Sequence, residues 1–197
     1  MRDRDRRLLA AARRGDAEEV RAALDEGARV EARDEELRSP LLLASLGSHV
    51  DAARVLVAAG ADPNAQDRRH DSAWLVTGVT GNVAMMRALL PAGPDLTLRN
   101  RFGGVALIPA SERGHVAYVR AVLRETAIDV DHVNDLGWTA LLEAVILGDG
   151  GRPHQEVVAL LLAAGADPAL ADADGVTALR HARRRGFDAI AALLEDA

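Results

Sequence analysis

Two short strings recur along this chain at a nearly fixed interval, and that interval constrains the fold more tightly than any other feature. The first string reads GARVEA from Gly27, GADPNA from Gly60, GPDLTL from Gly93 and GADPAL from Gly165, and its first three copies are 33 residues apart. The second reads SPLLLA from Ser39, SAWLVT from Ser72, VALIPA from Val105, TALLEA from Thr139 and TALRHA from Thr177. Together they divide the 197 residues into six units, 1–33, 34–66, 67–99, 100–133, 134–171 and 172–197, with no linker or second domain expected. A unit this short cannot bury an apolar face alone, so a stack of units is expected.

Each unit reads as two helices and a turn. Ser39, Ser72, Thr139 and Thr177 suit helix N-caps, because a side-chain hydroxyl can accept from the free amides of the first turn. Pro40 follows at the first helical position, where a missing N–H costs nothing. The first helix should end at a small-residue turn at Gly15, Ser48, Gly81, Gly114, Gly148 or Gly186. A second helix follows, as in VDAARVLVAAG, with Ala53, Val55, Leu56 and Val57 toward neighbouring units. Gly60, Gly93 and Gly165 stand where a helix C-terminus favours a left-handed residue. Asp34, Asp67, Asn100, Asn134 and Asp172 open the next units, where their side chains can close a turn on the backbone.

These strings resemble the ankyrin repeat over essentially the whole chain. GADPN at Gly60–Asn64, GADP at Gly165–Pro168, D-G-x-T-A-L at Asp174–Leu179, L-G-W-T-A-L at Leu136–Leu141 and R-G-H-V at Arg113–Val116 carry the resemblance. It implies an all-α solenoid of helix–turn–helix units with β-turn fingers. It further implies an inner face, made of fingers and first helices, on which most members bind other proteins. The fold itself carries no chemistry.

Composition narrows the alternatives. Zero Cys excludes disulfide frameworks and thiolate metal sites. No apolar run approaches the roughly 20 residues that span a bilayer, and MRDRDRRLLAAARRGD lacks the apolar stretch of a secretory signal, so a soluble cytoplasmic protein is expected. The net charge of −6 argues against a nucleic-acid partner. Arg supplies all 24 basic residues, and with the many alanines this points to a GC-rich, bacterial source. The polar ends, RDRDRR and EDA, read as caps of a complete stack.

Departures from the repeat mark the candidate site. At the ninth position, where the family usually has His, stand Leu9, Leu42, Leu75, Ile108, Leu142 and Arg180, an apolar ladder of structural character. The tenth position holds Ala10, Leu43 and Val76, expected half-buried, and then Pro109, Glu143 and His181. Pro109 should leave the Val105 carbonyl without its amide partner. Glu143 and His181 should face each other from adjacent helices about 10 Å apart and close into a hydrogen bond. By family analogy, finger and first-helix positions place Arg68, Arg69, Asp71, Val79, Thr80, Arg101, Phe102, Gly104, Glu112, Arg113, Asp135, Leu136, Trp138, Ile146 and Leu147 on the inner face. Phe102 and Trp138 are expected as exposed aromatics on adjacent fingers, whereas Trp74 replaces a core Leu. Five extra residues, Asp149–Pro153, should form a surface loop between helices. Thr126, in place of the usual glycine, should distort a helix end.

The expected function is protein binding on the inner face of units three to five, through Arg68, Asp71, Arg101, Phe102, Glu112, Arg113, Asp135, Trp138, Glu143 and His181. The alternative is small-molecule binding or acid–base catalysis at a recessed site around Glu143 and His181. A third reading is a stabilising partner of an enzyme. No cofactor is expected, and the spacing of the six His residues offers no metal signature. The Arg runs at 2–7, 13–14 and 183–185 mainly supply solvation.

Overall fold

The computed structural model describes residues 2–197, which form helix pairs throughout and no β-strand. They fall into two compact bodies divided after Arg101. The first body holds α1 (Asp3–Arg14), α2 (Ala17–Asp25), α3 (Pro40–Leu46), α4 (Val50–Ala58), α5 (Leu75–Thr80) and α6 (Val83–Leu89). The second holds α7 (Leu107–Glu112), α8 (Val116–Glu125), α9 (Ala140–Ile146), α10 (Arg152–Ala163), α11 (Ala178–Arg184) and α12 (Asp188–Glu195). Among the described residues, no helix is long and apolar enough to cross a membrane.

Within each body, odd-numbered helices pack on odd-numbered neighbours and even on even, so every pair buries its apolar side against the next. The first core contains Leu8, Val20, Leu41, Leu42, Leu56, Trp74, Met85 and Leu89; the second contains Leu107, Tyr118, Val119, Leu141, Leu142, Val157, Leu161 and Ile190. In the second helix of unit two, Ala53 and Leu56 are buried as expected, while Val55 and Val57 stay half-buried. Leu43 and Val76 are fully buried rather than half-buried, and Ala10 is exposed.

Polar groups at the helix ends are satisfied locally. The hydroxyls of Ser39, Thr139 and Thr177 accept from Leu42, Leu142 and Arg180 amides. Ser72 accepts from Leu75, although α5 begins three residues beyond it. Second helices use the same device, with Asp16 capping α2 and Asn82 capping α6. The Asp34, Asp67, Asn134 and Asp172 side chains each accept two amides of their own finger turn.

Two local expectations are corrected. The Val105 carbonyl is not orphaned by Pro109, because the Ile108 amide reaches it at 3.1 Å in a tighter opening turn. The insertion is only partly loop: Arg152 and Pro153 form the first turn of α10, where proline's absent N–H is no loss. Within that connection Gly150 is left-handed (φ 74°), and a side chain there would collide with the Phe187 ring. At Thr126 the chain leaves α8 extended (φ −137°), with the hydroxyl donating to the Val122 carbonyl at 2.6 Å.

Ser45 is 1% exposed and its hydroxyl has no hydrogen-bond partner. A buried, unsatisfied hydroxyl costs about 1–3 kcal/mol, whereas Ala fills nearly the same space without that penalty. Ser45→Ala should therefore raise stability by about 1 kcal/mol in urea unfolding; a loss of that size would show that the hydroxyl has an unrecognised partner.

Candidate functional site

Asn134 opens the fifth unit and organises its finger. Its Oδ1 accepts from the Leu136 and Trp138 amides, both at 3.0 Å, and its own N–H donates to the Trp138 carbonyl. Its remaining donor, Nδ2, reaches Glu143 Oε1 at 2.8 Å. The first position of the unit is thus tied to the tenth, across one turn of α9. The sixth unit repeats the arrangement with the chemistry reversed, His181 Nε2 donating to Asp172 Oδ2 at 2.7 Å.

This geometry corrects the expected bond between Glu143 and His181. Each side chain closes on the first residue of its own unit, which lies within reach of a single side chain, instead of spanning the gap between helices. A nine-residue spacing between complementary polar residues, present in both units, was the available sequence signal for Asn134 and Asp172.

Glu143 is 6% exposed, and its second carboxylate oxygen accepts no hydrogen bond from any described residue. Burial, reinforced by the like charge of Glu112 on α7, pushes its carboxyl up to about 7, against the opposing effects of Asn134 and Arg113. Amides of the Val176 and Asp174 turn and the His181 bond instead hold Asp172 below the ordinary range. In the first body, burial and neighbouring Asp67 raise Asp71, while Arg101 and Arg69 oppose the shift.

The remaining candidates are placed as follows. Arg68, Arg69 and Arg101 are exposed, and Asp71 is half-buried, all in the first body. In the second body Phe102 is 50% exposed, Glu112 pairs with Arg113 at 2.9 Å, and Asp135 is exposed. Trp138 is not the exposed aromatic expected, because it sits half-buried on the returning arm of the finger with both backbone groups bonded to Asn134. Leu136, at the tip, is the exposed residue of that finger (50%). The Asp135 amide donates to the Phe102 carbonyl at 2.9 Å, and His132 Nε2 donates to the Gly103 carbonyl at 2.8 Å, so fingers four and five are laced together. Trp74 is fully buried, as its position implied.

Among the described residues, the exposed large apolar side chains are Leu37, Leu46, Val79, Phe102, Val133, Leu136 and Leu147. All lie on fingers or at the ends of first helices, and none belongs to a second helix. The insertion is held by local bonds and by α7: Asp149 Oδ1 accepts from the Gly151 amide, Gln155 donates to the Gly150 carbonyl, and His154 donates to the Glu112 carbonyl at the end of α7. The terminal Arg runs are engaged with acidic residues and carbonyls, including Arg7 with Glu19 and Glu26, Arg183 with Glu195, and Arg185 with Val145. Among the described residues, no three His, Cys, Asp or Glu side chains are grouped to share a metal ion.

Comparison with known proteins returns one family. Residues 3–67 and 74–172 match ankyrin repeats (3 copies). The ankyrin repeat protein YahD of Escherichia coli (strain K12) is 52% identical over 73 residues, which are 37% of this chain and 36% of that protein. The matched stretch therefore spans about a third of that curated relative. A crystal structure of an ankyrin repeat domain from Acinetobacter baumannii AYE is 47% identical, with a TM-score of 0.92 over 96% of both chains. The ankyrin repeat domain of Bcl-3, of the IkappaB protein family, is 28% identical with a TM-score of 0.86, over 96% of this chain and 85% of that one.

The Glu143 carboxyl has a consequence for stability. Its native value near 7 exceeds the ordinary 4.5, so between these values the folded chain holds a proton that the unfolded chain releases. Stability contributed by this group is then complete below about pH 4.5 and declines as pH rises toward 7. Glu143→Gln keeps an oxygen for Asn134 and removes the charge. Its melting temperature should match the wild type near pH 4.5 and exceed it by about 3 °C or more above pH 7.5; a pH-independent difference would contradict the raised value.

Proposed function

This chain belongs to the ankyrin-repeat family, and from that premise we propose that it acts as a protein-interaction module binding a partner on its fingers and first helices. Ankyrin repeats are in general protein-binding modules. The observation that carries the reading here is the one-sided placement of exposed apolar residues. Large apolar side chains left in water favour burial against another surface, and the fold accounts for every second helix without any.

In the second body the proposed contact is centred on Phe102 and Leu136, brought together by the bond between their fingers. Glu112, Arg113 and Asp135 are the surrounding charges that would select among partners. Glu143, Asn134, His181 and Asp172 hold the fingers against their helices. Trp138 supports the same finger from within. Arg68, Asp71 and Arg101 are the corresponding candidates on the first body. A small-molecule or catalytic site at Glu143 and His181 is disfavoured, since their side chains are joined to different partners.

Capture from native lysate tests this reading. The wild-type chain should retain a protein that Phe102→Ala/Leu136→Ala fails to retain, each truncation weakening binding by about 1–2 kcal/mol. A second-helix control, Arg120→Ala/Glu156→Ala, should capture as well as wild type, with circular dichroism confirming both folds. Equal capture by the finger variant and loss by the control would move the interface to the opposite side.

A further inference from the structure

The net charge of the chain is not shared between its bodies. Residues 1–101 contain sixteen Arg against sixteen Asp and Glu, whereas residues 102–197 contain eight Arg against fourteen acidic residues. The excess is concentrated in the fingers. Segments 126–139 and 164–177 carry Asp129, Asp131, Asp135, Asp167, Asp172 and Asp174 and no Arg. The fingers of the first body are mixed, with Arg29, Arg33 and Arg38 in one and Arg68 and Arg69 in the next.

Several of these aspartates are occupied in turns, but the carboxylates of Asp135 and Asp174 accept no hydrogen bond from any described residue. Finger six lies directly beside finger five, since a side chain built on Gly137 would touch Ala173. Asp135 precedes the exposed Leu136 in finger five, Asp174 follows Ala173 in the adjoining finger six, and the exposed Phe102 is joined to finger five through its carbonyl and the Asp135 amide. Beneath finger five sits Glu143, more than nine-tenths buried, with one carboxylate oxygen lacking a donor. Glu112 on α7 approaches closely enough to repel it. Negative charge thus lies beside and beneath the tip of finger five, where Arg113 is already paired with Glu112, while the exposed Arg101 adjoins Phe102 in the sequence.

We propose that this face takes a basic protein segment, whose apolar side chains rest on Phe102 and Leu136 and whose Arg or Lys donates to the open oxygen of Glu143. The inference rests on the interaction-module reading above and adds the chemistry of the partner. A cation at Glu143 supplies the donor that the fold leaves out and offsets the repulsion from Glu112. Asp135 and Asp174 speed encounter with a positive segment and disfavour an acidic one.

The test is selection of a phage-displayed library of random 16-residue peptides against the full chain at pH 8, where Glu143 is ionised. Enriched peptides are then titrated by fluorescence anisotropy. They should carry net positive charge and large apolar residues. Their Kd should rise at least tenfold on Glu143→Gln and on Asp135→Asn/Asp174→Asn, and weaken between 50 and 300 mM salt. Enrichment of neutral or acidic peptides, unchanged affinity for both variants, or no enrichment overturns the proposal. Binding lost only in Phe102→Ala/Leu136→Ala keeps the interaction-module reading and removes the basic occupant. Binding unaffected by any of the three variants removes both. A dimer in sedimentation that Phe102→Ala/Leu136→Ala dissociates would identify a second copy as the occupant and overturn the proposal as well.

Discussion

Every helix pair in this protein has an apolar side that only another pair can cover. Helices of six to twelve residues are too short to hold themselves together in water, and their stability comes from packing. In each body the first helices form one layer and the second helices another, with Leu41, Leu42 and Leu56, or Leu141, Leu142 and Leu161, buried between them. Everything that distinguishes the units must be carried by residues that this packing does not consume, namely finger tips and the exposed ends of first helices.

The fingers lack strand pairing apart from an isolated bridge between Ala171 and Thr177, so their shape depends on single side chains. Asp or Asn at the first position gathers the turn amides, and in units five and six the same residue also grips the tenth position. That link couples finger conformation to the first helix beneath it. In unit five it also places a buried carboxyl next to Glu112, where desolvation and like charge act in the same direction. A group that would be solvated on an isolated helix becomes a titrating group near neutrality because of where the turn holds it.

Much of the fold was legible in the residues. The recurrence of the strings, the hydroxyl caps at Ser39, Thr139 and Thr177, and the left-handed glycines at Gly60, Gly93 and Gly165 follow from local backbone requirements that a short window encodes. The candidate site was legible in part. Phe102 was recognisable as an apolar residue on a polar turn, but Trp138 drew attention that belonged to Leu136. Both are apolar residues of one finger, and only the path of the turn determines which faces water.

The sequence by itself determined the repeat, the helical units and the position of each within its unit, because these depend on spacing and on neighbours a few residues away. Tertiary structure decided the partners of polar side chains. Glu143 could have reached toward His181 or toward Asn134, and Pro109 could have orphaned a carbonyl or allowed a tighter turn. Those outcomes turn on differences of an ångström or two between competing approaches, which residue spacing does not encode and packed helices do.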